Sequence, residues 1–94
     1  MYTLHYSQKF KKSYKKLKKS GKKKDVVLLK KVVAMLEMGK TLPEKYQNHF
    51  LSGAMSTYQE CHIKDDLLLM YYKDRKNLVL ILLDVGSHQE LFGK

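Results

Sequence analysis

One cysteine, one proline, a single arginine and no tryptophan occur among the 94 residues, and each scarcity excludes something. With Cys61 alone, no disulfide can close within the chain, so stability must come from a packed core. That usage suits a reducing compartment. The lone Arg75 leaves lysine to carry nearly all of the positive charge, and lysine lacks the planar fork that reads guanine edges. Sequence-specific reading of duplex DNA is therefore disfavoured. No apolar run approaches the roughly 18 residues of a membrane-crossing helix, and MYTLHYSQKF has no apolar signal core. A cytoplasmic protein with no membrane attachment is expected. Neither a GxxxxGK phosphate loop nor a GxSxG nucleophile elbow is present.

What the chain does contain is apolar residues at 44% and charged residues at 30%, the balance of a globular protein. Its length suits a single domain, residues 1–94, with one modest core. The formal charge is +10 and is unevenly placed. Residues 1–31 hold 12 lysines against Asp25, a balance of +11, while residues 32–94 hold seven basic and eight acidic residues, a balance of −1. A one-sided positive field attracts polyanions: RNA, DNA, an anionic membrane or an acidic protein. The competing explanation is a solvated lysine-rich helix face without a partner.

Residues 2–6 alternate as a short strand, and Ser7 suits the N-cap of a helix with Phe10, Tyr14 and Leu17 on one side. Gly21 ends it. A second helix runs from Asp25 to Met38, with Val26, Leu29, Val33 and Leu36 in a stripe, and stops at Gly39 before Pro43. Residues 40–56 lack periodicity and read as a long ordered loop. Strands follow at 57–63, 67–73 and 78–84, and their short connections make them antiparallel neighbours. The tail GSHQELFGK forms a turn or a short helix. The expected architecture is an α+β domain in the order β-α-α-β-β-β. Two N-terminal helices pack on one face of a mainly antiparallel four-stranded sheet, and the other face stays open to a ligand.

Strand alternation puts Tyr58, Glu60 and His62 on the open face and Cys61 and Ile63 toward the core. Cys61 then reads as a small buried hydrophobe rather than a nucleophile. The first hairpin places His62 and Asp66 at one sheet end, and the returning third strand delivers Gly86, Ser87 and His88 there. Either this rim is a functional cluster, or these are ordinary surface histidines with turn-forming Asp65 and Asp66. No HxxH or CxxC spacing supports a metal site, so no metal or cofactor is expected.

The segments LPEKYQNHFLSG, YQECHIKDDLLLMYY and VGSHQELF, in this order and spacing over residues 42–92, resemble the YafQ branch of the RelE-type bacterial toxins. The preceding strand and helices match the order of that small fold. The resemblance implies a ribosome-dependent mRNA endoribonuclease that inhibits translation, held inactive by a cognate acidic antitoxin, with operator DNA reached only through the antitoxin complex. It places His49, His62, Asp66, His88 and Phe92 at the active site. Metal-independent cleavage needs a base for the ribose 2′-OH, charge for the phosphorane and an acid for the 5′-oxygen, and imidazole suits proton transfer near neutral pH. Asp66 would serve as base or orient a histidine, His88 as acid, and Phe92 as a stacking face. His62 and His49 would donate to phosphate or share the proton transfer. Lys11, Lys12, Lys15, Lys16 and Lys64 are the expected contacts to ribosomal RNA.

Family members commonly carry tryptophan, arginine and proline where Met55, Gln59 and Asp65 stand. Asp84 occupies the place of an arginine that would neutralise the transition-state phosphate, so attenuated cleavage is expected, with Lys64 compensating in part. The alternative is a module that binds ribosome or antitoxin and cuts poorly or not at all. A DNA-binding regulator suits the charge but has no evident recognition helix.

Overall fold

Ser7 sets the first turn of the chain. Its Oγ accepts the Phe10 N–H at 2.9 Å, and its hydroxyl donates to the Leu83 carbonyl at 2.7 Å. The same residue thus caps a helix and pins it to the sheet. The computed structural model describes residues 1–93. In order, the elements are β1 Thr3–Tyr6, α1 Gln8–Lys19, α2 Lys23–Glu37, β2 His49–Phe50, β3 Gln59–Lys64, β4 Leu67–Asp74, β5 Val79–Gly86 and α3 His88–Phe92. Single 3-10 turns lie at Glu44–Tyr46 and Gly53–Met55.

The sheet has five strands in the order β1-β5-β4-β3-β2, with β1 parallel to β5 and the other pairs antiparallel. The expected count was four. The additional strand, β2, is two residues long, too short to show an alternation, and it pairs His49 with Glu60 and Phe50 with Gln59. The long loop is therefore stitched to the sheet edge. A partly buried network holds it there: the Tyr71 hydroxyl donates to Asn48 Oδ1 at 2.6 Å, and Asn48 Nδ2 donates to Gln59 Oε1 at 2.9 Å. Gln59 is accordingly a structural residue in this chain.

Alternation along β4 explains its unbroken apolar run. Leu67, Leu69 and Tyr71 face the helices, where Leu29, Val32 and Leu36 of α2 and Phe10 of α1 complete the main core. Leu68 and Met70 face the other way and are covered by Leu91 of α3, with Leu51, Met55, Tyr58 and Leu83 around them. Both faces of the strand are dry, so both parities are hydrophobic. The face expected to stay open is thus half covered by a second, smaller core. What remains uncovered is the rim between β2, the β3–β4 turn and α3.

Leu69 has no solvent exposure, whereas Val27 on α2 is 65% exposed. Leu69→Ala should cost about 2–5 kcal/mol through lost burial and a residual cavity. Val27→Ala should stay within about 0.5 kcal/mol. Thermal melts of both variants check this; a native-like melt for Leu69→Ala would show that β4 is not the centre of the core.

Candidate active site

The rim is built from three pieces of backbone. Strand β3 carries Glu60 and His62 on one face, β2 sets His49 opposite Glu60, and β5 hands over through Gly86 to α3, which starts at His88. Gly86 has φ +155°, and a Cβ there would meet Glu90 Oε1 at 2.7 Å, so only glycine lets the chain turn into α3 this closely. Ser87 and Glu90 form a reciprocal capping box: Ser87 Oγ accepts the Glu90 N–H, and Glu90 Oε1 accepts the Ser87 N–H.

Side chains from these pieces form a continuous string. Ring centroids are 6.3 Å apart for His49 and His62, 5.7 Å for His62 and His88, and 6.5 Å for His88 and Phe92. Asp66, in the β3–β4 turn, lies beside His88. Its Oδ1 accepts the His88 backbone N–H at 3.0 Å and meets His88 Nδ1 at 2.9 Å. All five residues expected from the resemblance therefore converge. Those two hydrogen bonds, the backbone one first, hold the Asp66 carboxyl below its ordinary value of 3.8. The pairing adds stability above the ordinary carboxylate range and loses it as pH falls through the lowered folded-state value.

Glu60 is the residue that sequence reasoning placed on this face but left out of the site. It is buried, with Oε1 at 3.5 Å from His49 Nε2 and 3.8 Å from His62 Nε2, while Oε2 has no partner. The available signal was its parity with His62 on one strand; its burial depends on β2, which gives no periodicity. Glu60, His62 and His88 each offer one ligand atom, all within 4.8 Å of one another. A carboxylate with two imidazoles is a donor set that zinc or copper accepts. Sequence spacing could not reveal it, since topology rather than proximity in the chain joins His62 to His88.

Other expectations resolve differently. Asp84 is buried and directed to α1: it accepts from Ser13 Oγ at 2.6 Å and from the Val85 N–H at 2.8 Å, and Lys9 Nζ lies 3.4 Å away. None of these contacts reaches the histidines. Lys11, Lys12, Lys15 and Lys16 are exposed on α1, and Lys16 pairs with Glu90 of α3 at 2.9 Å. Lys64 is bound to Asp25 of α2 at 2.7 Å rather than to the rim. Cys61 is fully buried, and burial, followed by the nearby Glu60 charge, pushes its thiol up to about 12. A nucleophilic role is thereby removed.

The sequence model of the YafQ family, described as bacterial toxins of type II toxin-antitoxin systems, matches residues 2–93. The chain belongs to this family. A metal-bound toxin from Helicobacter pylori is 43% identical, with a TM-score of 0.88 over 98% of this chain and 100% of that one. A copper-bound variant of a toxin from the same organism is 37% identical, with a TM-score of 0.89 over the same shares. YafQ from the Escherichia coli DinJ-YafQ complex is 29% identical, with a TM-score of 0.87 over 99% of this chain and 100% of that one. A Haemophilus influenzae protein bearing the YafQ toxin name is 53% identical over 30 residues, which span 32% of this chain and 29% of the relative's length. The α+β architecture is thus the YafQ fold. No helix among the described residues is long and apolar enough to cross a membrane.

Two measurements test this geometry. A carboxyl NMR titration should place the Asp66 midpoint below 3.8, and His88→Ala should raise it; an ordinary midpoint in the native chain would mean that the contact is not held. Thiol reagents at pH 8 should modify Cys61 only after denaturation, and rapid labelling of the folded protein would contradict its burial.

Proposed function

We propose that this chain, acting as one domain, is an mRNA endoribonuclease that works on the ribosome in the cytoplasm, is restrained by an acidic antitoxin and cuts without a metal. The observation that carries this reading is the contact of Asp66 with both the backbone and the ring of His88, within a string of imidazoles. An Nδ1–H donated to Asp66 leaves Nε2 of His88 turned to the rim, the arrangement in which a carboxylate orients a proton-transferring histidine. Asp66 is in this reading a positioning residue rather than the base.

The chemistry then divides among the rings. His62 takes the proton of a ribose 2′-OH, and the 2′-oxygen attacks the adjacent phosphorus. The bond from phosphorus to the 5′-oxygen breaks, His88 gives that oxygen its proton, and a 2′,3′-cyclic phosphate remains. His49 donates to a phosphate oxygen, and Phe92 stacks on a base. The protons balance between His62 and His88.

Charge stabilisation is the weak point. An arginine would place a fork of donors on the phosphorane, a contribution that often dominates such reactions. Asp84 supplies none, and its own charge is turned toward Ser13 and Lys9. The site therefore lacks a cation more than it gains an opposing anion, and we infer attenuated turnover. Asp84→Arg would set a guanidinium beside Lys9, so it is a poor way to restore the missing charge.

The partner assignment rests on charge and on kinship. A surface with 12 lysines in its first 31 residues suits an acidic chain, and the E. coli relative is described in complex with DinJ. A metal reading has one specific observation in its favour, the Glu60–His62–His88 donor set. A bound ion would occupy the imidazole nitrogens that the proton transfers need.

Brief induction in cells, followed by mapping of mRNA ends, should show new ends with the native chain. His62→Ala and His88→Ala should each reduce them by about 10²–10⁴-fold. On purified programmed ribosomes kept intact by Mg²⁺, the native cleavage should survive prior stripping of the protein with 1,10-phenanthroline, a chelator of zinc and copper, and loss of activity after that treatment would overturn the metal-free mechanism. Growth arrest that persists undiminished in both variants would replace the enzyme with a binding module.

A further inference from the structure

RNA brings more than one phosphate to a protein, so the surface beside the histidine rim matters as much as the rim. Among the described residues, four of the clefts on the surface differ in charge. The groove between α1 and α2 is lined mainly by Tyr6, Phe10, Tyr14 and Val33. The cleft beneath α3 sets Lys16, Lys22 and Lys64 against Asp25, Asp65, Asp66 and Glu90. A third, at the far end of the sheet, holds Lys40, Lys73 and Arg75 but none of the rim histidines. The fourth has a volume of about 430 Å³ and is lined by Lys31, Lys45, Lys64 and His62, with Asp65 its one carboxylate.

We propose that this fourth cleft is a subsite for a phosphate of single-stranded RNA that flanks the scissile one, held by Lys31 of α2 and Lys45 of the Glu44–Tyr46 turn. His62 belongs to both the cleft and the string of rings, 5.7 Å from His88, so a strand engaged at the rim runs on into the cleft without leaving the surface. Among the described residues neither Lys31 nor Lys45 is ion-paired, whereas Lys64 is anchored to Asp25 at 2.7 Å. Lys45 Nζ stands 5.2 Å from the centroid of the Tyr46 ring, which supports its stem at the cleft wall. Leu28, Tyr46 and Ile63 provide apolar surface for a ribose or base. A basic groove that follows the backbone, with apolar or aromatic surface beneath, is the general form of a single-strand binding site. An acidic protein segment would find the same cations but has no reason to begin at His62, which favours RNA.

The inference depends on the RNA-cleaving reading for its scissile end, and the experiment separates the two. A 12-nucleotide RNA with 2′-O-methyl sugars, which cannot be cut, is bound to the native protein and to Lys31→Ala/Lys45→Ala across a salt series, with anisotropy as readout. A Lys40→Ala/Lys76→Ala control removes the same charge elsewhere. The cleft variant should bind roughly tenfold more weakly, and its slope of log K against log salt should fall by about 1.4, two contacts at about 0.7 each. The control should stay near native. An equal loss in the control, an unchanged slope in the cleft variant, or no binding by the native protein would overturn the subsite. So would loss of acidic-partner binding in the cleft variant with RNA binding intact. Binding that behaves as expected while native protein leaves programmed ribosomes uncut keeps the subsite and rejects the nuclease.

Discussion

One carboxylate joins the β3–β4 turn to the last helix, and the rim exists because of that tie. Helix α3 is five residues long, too short to persist by its own hydrogen bonding. Asp66 gives the first N–H of this helix the partner that helix starts lack, and places negative charge where the helix end is positive. The same oxygen meets the His88 ring. Capping and orienting are therefore one act. A change that frees the turn frees the histidine as well, and the separation between His62 and His88 is a property of this joint more than of either strand.

The lysine-rich third of the chain has a structural role that its composition conceals. Lys9 lies against Asp84 and Lys16 reaches Glu90, while Asp25, the one acid of that third, is held by Lys64 from β3. Asp84 and Asp25 are buried, and a buried carboxylate without a partner would be strongly unfavourable. The Lys16–Glu90 pair is exposed and adds little energy, yet it connects α1 to the capping box that seats α3. Cations from a neighbouring element thus decide whether Asp25 and Asp84 can be buried, while the unpaired lysines leave the positive charge that the proposed function uses. Charge asymmetry in this chain serves folding, and in the proposed function it serves recognition as well.

The helices, the three long strands and the meeting of His62, Asp66 and His88 were legible because each rests on a strong local signal: helical spacing of Phe10 and Leu17, the apolar run of β4, and short turns that leave one hairpin topology. The number of strands was not, since β2 consists of two exposed residues held by Asn48, Gln59 and Tyr71 from three segments. Register was the other hidden quantity. Leu83 packs in the smaller core and Val85 in the main one, although simple alternation would put them on the same face. The irregularity opposite Met70 and Tyr71 is responsible, because it leaves one extra residue on β5. Counting by twos from Leu80 and Leu82 does put Asp84 on the helix side, where it serves α1, but the same count fails one residue later at Val85. Glu60 escaped notice for the same class of reason: its parity was visible, its enclosure was not.

In the proposed nuclease, distributed lysines stand in for the rim arginine that the family resemblance leads one to expect, and that changes what the site can do. A guanidinium fixes two donors in one plane on a phosphate, so it stabilises charge and geometry together. Lysines on flexible stems supply attraction without that geometry. Attraction acts on substrate and transition state alike, and it strengthens binding; acceleration requires contacts that improve as the phosphorane forms. With Asp84 engaged on α1 and Lys64 on α2, the contacts that the proposed mechanism leaves able to improve in this way are the imidazoles of His49, His62 and His88. On the proposed reading, affinity for RNA and the rate of cutting are separable, the first set by lysines outside the rim and the second by how firmly Asp66 holds His88.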